Sequence, residues 1–240
     1  MDDLEQKPIL LIYTCAANKQ REIAVRDTWL KYVQIPYMFV TKTVTTDNDN
    51  LFIDSIETYE SLALKTYKVL QWFVNTEYTH MIKVDDDTFV SGVKLNNKRY
   101  KYDYEGFMLD AHRTGSYYHQ GKCCDDKLNN SLLNYKHAHM FAAGGFYILS
   151  KKAAEHCLAN IDQTTIKAAY DGELTQEDRM VGRALENSKL TKHNIGSWID
   201  RNKNQYKIED SLAIHPVSPP VMYKLKGGKK DIILYNYYNG

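Results

Sequence analysis

Short apolar runs alternating with amphipathic stretches set the frame of this chain. Ile9-Leu10-Leu11-Ile12-Tyr13-Thr14 reads as a buried strand, and Lys19 to Tyr32, with apolar Ile23, Val25, Trp29 and Leu30, reads as a helix. Tyr37-Met38-Phe39-Val40 predicts a second strand, Thr41 to Asn50 a polar loop, Ser61 to Phe73 a helix, and Thr79 to Val84 a third strand. Glu105 to Leu109 predicts another. Phe141 to Leu149 is a long apolar run interrupted by Gly144-Gly145, and Ser150 is suited to cap a helix reaching about Cys157. Strands alternating with helices imply a mainly parallel sheet covered on both faces, with ligands bound beyond the carboxyl ends of its strands. Arg113 to Tyr135 is polar and aperiodic, and reads as a loop or lid over the site.

The third strand runs into Asp85-Asp86-Asp87. Residues two apart on an extended backbone point to one side, so Asp85 and Asp87 can share a cation, whereas packing them unneutralised is costly. Oxygen ligands favour magnesium, manganese or calcium over zinc, and a magnesium or manganese site keeps positions open for phosphates. A solvated turn is the plainer alternative, but Thr88-Phe89-Val90 returns at once to strand character. Val90 stands where an EF-hand loop needs glycine, and Phe89 where a haloacid-dehalogenase motif wants Thr or Val.

Three other features carry candidate chemistry. Gly144 and Gly145 fit a backbone approached closely by a ligand, or a bulge. Thr175-Gln176-Glu177-Asp178 opens a helix, and a capping pair of Thr175 with Asp178 would explain it without catalysis. His215 lies in the extended, proline-rich segment Ala213 to Pro220, where it reads either as packing or as a ligand crossing a sheet edge.

Composition narrows the class. The chain has 240 residues, 43% hydrophobic and 25% charged, enough for one large domain. A net charge of +1 without a basic cluster excludes a nucleic-acid module. No apolar run reaches the roughly 18 residues of a membrane span, and the start, Met1 to Lys7, is too polar for a signal peptide, so the chain reads as soluble. Cys15, Cys123, Cys124 and Cys157 do not form a disulfide scaffold, and the sequon Asn129-Asn130-Ser131 counts only in a secretory lumen.

Five segments, in order, resemble the inverting β-1,3-galactosyltransferase and Fringe-like glycosyltransferases. They are Arg21 to Trp29, Glu57 to Thr66, Lys83 to Phe89 with its Asp-x-Asp triplet, Ala143 to Ser150, and Glu177 to Gly182. The resemblance implies an α/β fold of GT-A type, a Rossmann-like mixed sheet flanked by helices, in a single domain over 1–240 with its core at 9–220. It implies that Asp87 and His215 ligate Mn2+ (or Mg2+), that Asp85 holds metal or ribose, and that Asp178 is the general base of an inverting transfer. Arg26, Lys83, Asp85, Asp86, Gly144 and Gly145 fall on the donor side, although Lys83 could simply neutralise a neighbouring aspartate. The donor would be a UDP-sugar, with galactose, N-acetylglucosamine, glucose and xylose open, and the acceptor a glycan or glycoprotein. Ser61, Ala63 and Arg179 depart from the family pattern, and the Golgi members' membrane anchor is missing. That fits a cytoplasmic enzyme, a virus-encoded one included, or a trimmed Golgi-lumenal domain. A catalytically inactive sugar-nucleotide or glycan-binding module and a metal-dependent phosphohydrolase are the alternatives.

Overall fold

The computed structural model describes residues 5–43, 48–110, 122–129, 139–170, 176–195, 205–206, 211–226 and 232–233. Its strands are β1 (Pro8–Tyr13), β2 (Tyr37–Thr41), β3 (Asn50–Phe52), β4 (His80–Asp85), β5 (Phe89–Val90), β6 (Tyr104–Asp110), β7 (Met140–Ser150), β8 (Lys192–Asn194), β9 (Gln205–Tyr206), β10 (Ala213–Ile214) and β11 (Ile232–Ile233). Its helices are α1 (Lys19–Asp27), α2 (Leu62–Val74), α3 (Gly92–Asn96), α4 (Asp126–Asn129), α5 (Lys151–Asn160), α6 (Gln163–Tyr170), α7 (Glu177–Ala184) and α8 (Pro219–Lys226).

Seven strands form one sheet in the order β3-β2-β1-β4-β7-β6-β8. The β3-β2-β1-β4 half is parallel, and β7 runs antiparallel to both β4 and β6. The sheet is therefore mixed, as the family resemblance implied, and also mainly parallel, as the alternation of elements implied, since β7 alone runs against the other six strands. An eleven-residue strand buried on both faces has the same apolar composition in either direction, so its sense is invisible in the pattern.

The central strands β2, β1, β4 and β7 each feed two cores. β1 sends Ile9, Leu11 and Tyr13 to one face, where they meet Val69, Leu70 and Phe73 of α2 and Met180 and Val181 of α7. It sends Leu10 and Ile12 to the other, against Ala24 and Val25 of α1 and Met222 and Leu225 of α8. That period of two is the pleat of a doubly covered strand.

Two boundaries differ from expectation. The predicted helix from Lys19 to Tyr32 stops at Asp27, where Thr28 leaves helical backbone angles while its N–H and hydroxyl both bond the Ala24 carbonyl, and a separate turn follows at Leu30–Tyr32. β3 begins at Asn50, the last residue of the expected polar loop, and is short, with side chains half-buried or exposed, as suits an edge strand. The expected strands at β2, β4, β6 and β7 are present, and Ser150 caps α5 by accepting from the Ala153 N–H. Of the loop expected at 113–135, only 122–129 is described, and it contains α4.

Candidate active site

β4 ends at Asp85, at the carboxyl edge of the parallel half. The Asp86 N–H donates to the Tyr13 carbonyl at 3.1 Å and the Thr88 N–H to the Asp85 carbonyl at 3.0 Å, which turns the chain sharply through the three acids. β5 then pairs antiparallel with β10, Phe89 opposite Ile214, and the Val217 N–H donates to the Asp87 carbonyl at 2.7 Å. This ladder sets His215 beside the acidic turn. Ligand atoms of Asp85, Asp87 and His215 all lie within 4.8 Å of one another. Asp87 Oδ1, 3.0 Å from His215 Nδ1, is buried and receives no well-aligned hydrogen bond. Two carboxylates and an imidazole converging on one point, with an oxygen left unsatisfied there, fit a hard divalent cation.

The middle acid does something else. Asp86 is buried, accepts from Thr14 Oγ1 at 2.8 Å and pairs with Arg21 Nη1 at 3.2 Å. Burial pushes its carboxyl up to about 6, against the pull of Thr14 and Arg21. Arg21 Nη1 also reaches Asp87 Oδ2 at 3.4 Å. Burial alone would raise Asp87, but His215, Arg21 and Lys122 hold it below the ordinary carboxylate range. Asp85 is raised, by burial first and then by Asp87 and Glu177, with Lys83 and His215 opposing.

Across the sheet, α7 lies on β7 and delivers two acids to the glycine pair. Asp178 Oδ2 accepts from the Gly144 N–H at 2.9 Å and Asp178 Oδ1 from the Arg179 N–H at 2.7 Å. A Cβ on Gly144 would come within 2.8 Å of Glu177 Oε1, and one on Gly145 within 2.4 Å of the His215 ring. Both glycines are thus required by close approach. Gln176, not Thr175, is the N-cap of α7 and makes no side-chain cap; Thr175 lies outside the described residues. Asp178 holds β7 through the Gly144 N–H, and the capping pair expected with Thr175 falls outside the described residues. Burial, reinforced by Glu177, pushes its carboxyl up to about 7.

Two expected donor-side residues are engaged by neighbouring acids. Arg26, on the last turn of α1, is bound by Asp49 and Glu22 and lies 4.0 Å over the Phe39 ring, on the flank of the sheet. Lys83 is fully buried between Asp85 and Glu177. Three further residues enter the site to which the sequence assigned no role, although each lies in a segment resembling the family. Arg21 is one, since an arginine at the start of a helix carries no spacing signal of its own, and Glu177 and Thr88 are the others. Thr88 is buried, with its hydroxyl 2.9 Å from the Gly145 carbonyl and 3.1 Å from His215 Nδ1.

The Glu57 to Thr66 segment shapes the edge around the site. Glu57 accepts from the N–H groups of Ala16 and Lys42 and from Thr41 Oγ1, while Lys65 Nζ donates to the Thr14 carbonyl at 2.7 Å. Glu60 accepts from the Asp125 N–H at 2.9 Å and so docks the segment carrying Lys122. The sequon residue Asn129 is turned inward, exchanging two hydrogen bonds with the Cys123 backbone. All four cysteines are free. No helix among the described residues is long and apolar enough to cross a membrane.

No curated protein matches the chain significantly. A family model described as Galactosyltransferase matches residues 19–196. That span runs from the first turn of α1, just before Arg21, through the acidic turn, the glycine pair and Asp178 to the end of β8, and only His215 of the cluster lies beyond it. With most of its length matched and the site's acids inside the match, the chain belongs to the galactosyltransferase family and is a glycosyltransferase.

Proposed function

We propose that this glycosyltransferase is inverting and divalent-metal-dependent, and that it moves a sugar from a UDP-sugar to a hydroxyl of a glycan or glycoprotein acceptor, forming a β-linkage. One observation carries the reading. The metal-fitting cluster and a buried carboxylate meet on adjacent residues, with His215 packed against Gly145 and Asp178 bonded to Gly144. We take residues 1–240 as one catalytic domain built around that junction.

Asp85, Asp87 and His215 would hold Mn2+ or Mg2+. When bound, the ion supplies positive charge against the charge that builds on a departing diphosphate. Arg21 and Lys122, both acting on Asp87, add cationic charge on the same side and suit an anionic donor. Asp178 takes the proton of the acceptor hydroxyl. Its two backbone N–H partners fix its plane, and a carboxyl pushed up to about 7 is matched to proton transfer near neutrality. Glu177, the adjacent acid, is occupied by Lys83. Among the described residues Asp178 is the one carboxylate at the glycine pair not matched by a cation, which favours a single displacement, and hence inversion.

Nucleotide release from a panel of UDP- and GDP-sugars, with and without Mn2+, tests the proposal. The expected result is turnover of a UDP-sugar only with metal, abolished in Asp87→Ala and Asp178→Ala, with donor still bound by Asp178→Ala and a β-linked product by NMR. Metal-independent turnover, or an α-linked product, overturns it.

A further inference from the structure

We infer that Lys83 is a positioning residue that ties the metal-fitting carboxylate Asp85 to the catalytic helix α7, and that it makes no contact with the donor. The inference rests on the metal and base roles proposed above. An ammonium has three N–H donors. Those of Lys83 meet three acceptors: Asp85 Oδ1 at 2.6 Å, Glu177 Oε1 at 3.0 Å and the Gly144 carbonyl. None is left for a phosphate. The rings of Tyr13 and Tyr147, at 5.0 and 5.7 Å from Nζ, wall the charge in, and the side chain has no exposed surface.

The three acceptors belong to three different pieces of the site. Asp85 ends β4, Gly144 lies on β7 next to the glycine that seats His215, and Glu177 opens α7 one residue before Asp178. Lys83 and Asp85 share a face of β4 because they are two residues apart. By bonding one Asp85 oxygen, the ammonium orients the carboxylate and leaves its second oxygen for a cation. By bonding Glu177 and the Gly144 carbonyl, it fixes the start of α7 against the strand whose Gly144 N–H holds Asp178. A buried ion triad is a poor source of net stability, because desolvation consumes most of the Coulombic gain. Alignment of two functional groups gives it a use that stability does not.

The test measures Mn2+ affinity by EPR without nucleotide, together with kcat and donor KM at saturating Mn2+, for wild type, Lys83→Met and Glu177→Gln. The outer contacts of metal ligands typically matter by one to two orders of magnitude, so Lys83→Met is expected to lose at least about tenfold in both Mn2+ affinity and kcat with donor KM near wild type. Glu177→Gln keeps the Lys83–Asp85 pair, so it is expected to lose kcat while retaining Mn2+ affinity. A folded Lys83→Met with normal Mn2+ affinity and raised donor KM makes Lys83 a donor contact and overturns the inference. A lowered Tm with both kinetic and metal readouts unchanged reduces Lys83 to a structural charge and overturns it equally. Should Lys83→Met fail to fold, Glu177→Gln decides: unchanged kcat overturns the inference. A wild-type chain that neither binds Mn2+ nor releases nucleotide overturns the transferase mechanism itself, and this inference with it.

Discussion

Gly144 donates its N–H to Asp178 Oδ2 at 2.9 Å, and the absence of a side chain on Gly144 is what lets Asp178 and Glu177 approach β7 so closely. Gly145 does the same for His215 on the next residue. The glycine pair separates two functions that mutation can address one at a time.

Gly145→Ala drives a methyl to within 2.4 Å of the His215 ring, which must move. Mn2+ affinity, read by EPR or calorimetry, is expected to fall by at least about tenfold, as for a displaced ligand. Gly144→Ala meets Glu177 Oε1 at 2.8 Å and Asp178 Oδ2 at 3.3 Å. It is expected to lower kcat by roughly a hundredfold, the usual cost of a base misplaced by about 1 Å, while Mn2+ affinity holds.

Asp178→Asn keeps the shape and removes the base. Turnover is expected to drop by about 10²- to 10⁴-fold with donor affinity, measured by calorimetry, unchanged.

The pH profile follows from the same carboxyl. A base works ionised, and burial beside Glu177 raises Asp178 to about 7, so activity is lost as pH falls through that value and not through the ordinary range near 4. At saturating Mn2+, kcat/KM is expected to climb with pH through about 7 and then level. A limb near 4 would remove Asp178 as the base.

Arg21 is two-fifths exposed, so its ion pairs with Asp86 and Asp87 contribute little to stability. Arg21→Met is expected to leave Tm nearly unchanged and to raise donor KM by about tenfold through loss of one cationic contact, with kcat largely retained.

Leu70 lies on α2 under the sheet with no exposed surface. Leu70→Ala is expected to destabilise the fold by about 2–5 kcal/mol in urea titration, leaving Mn2+ affinity of the folded protein intact.

Much of this protein is written locally. Runs such as Ile9 to Ile12 are apolar because β1 is buried on both faces, and Asp85 to Asp87 stand at a strand end where ligands bind in open α/β sheets. Those properties depend on residues within one window, and so the sequence alone determined strands β1, β2, β4, β6 and β7, helices α2, α5 and α7, and the acidic turn. The tertiary structure decided the rest. Thr88 and His215 are 127 positions apart and meet only because β5 pairs with β10. Arg26 is bound by Asp49 and Lys83 by Glu177, so the acid that matches each cation comes from another segment of the chain. The sense of β7, the packing of α7 on its glycines and the diversion of Asp86 to Thr14 and Arg21 are likewise sums over distant partners. Burial and periodicity are local quantities, whereas the partner that satisfies a charge is fixed by strand order and register, which no single segment contains.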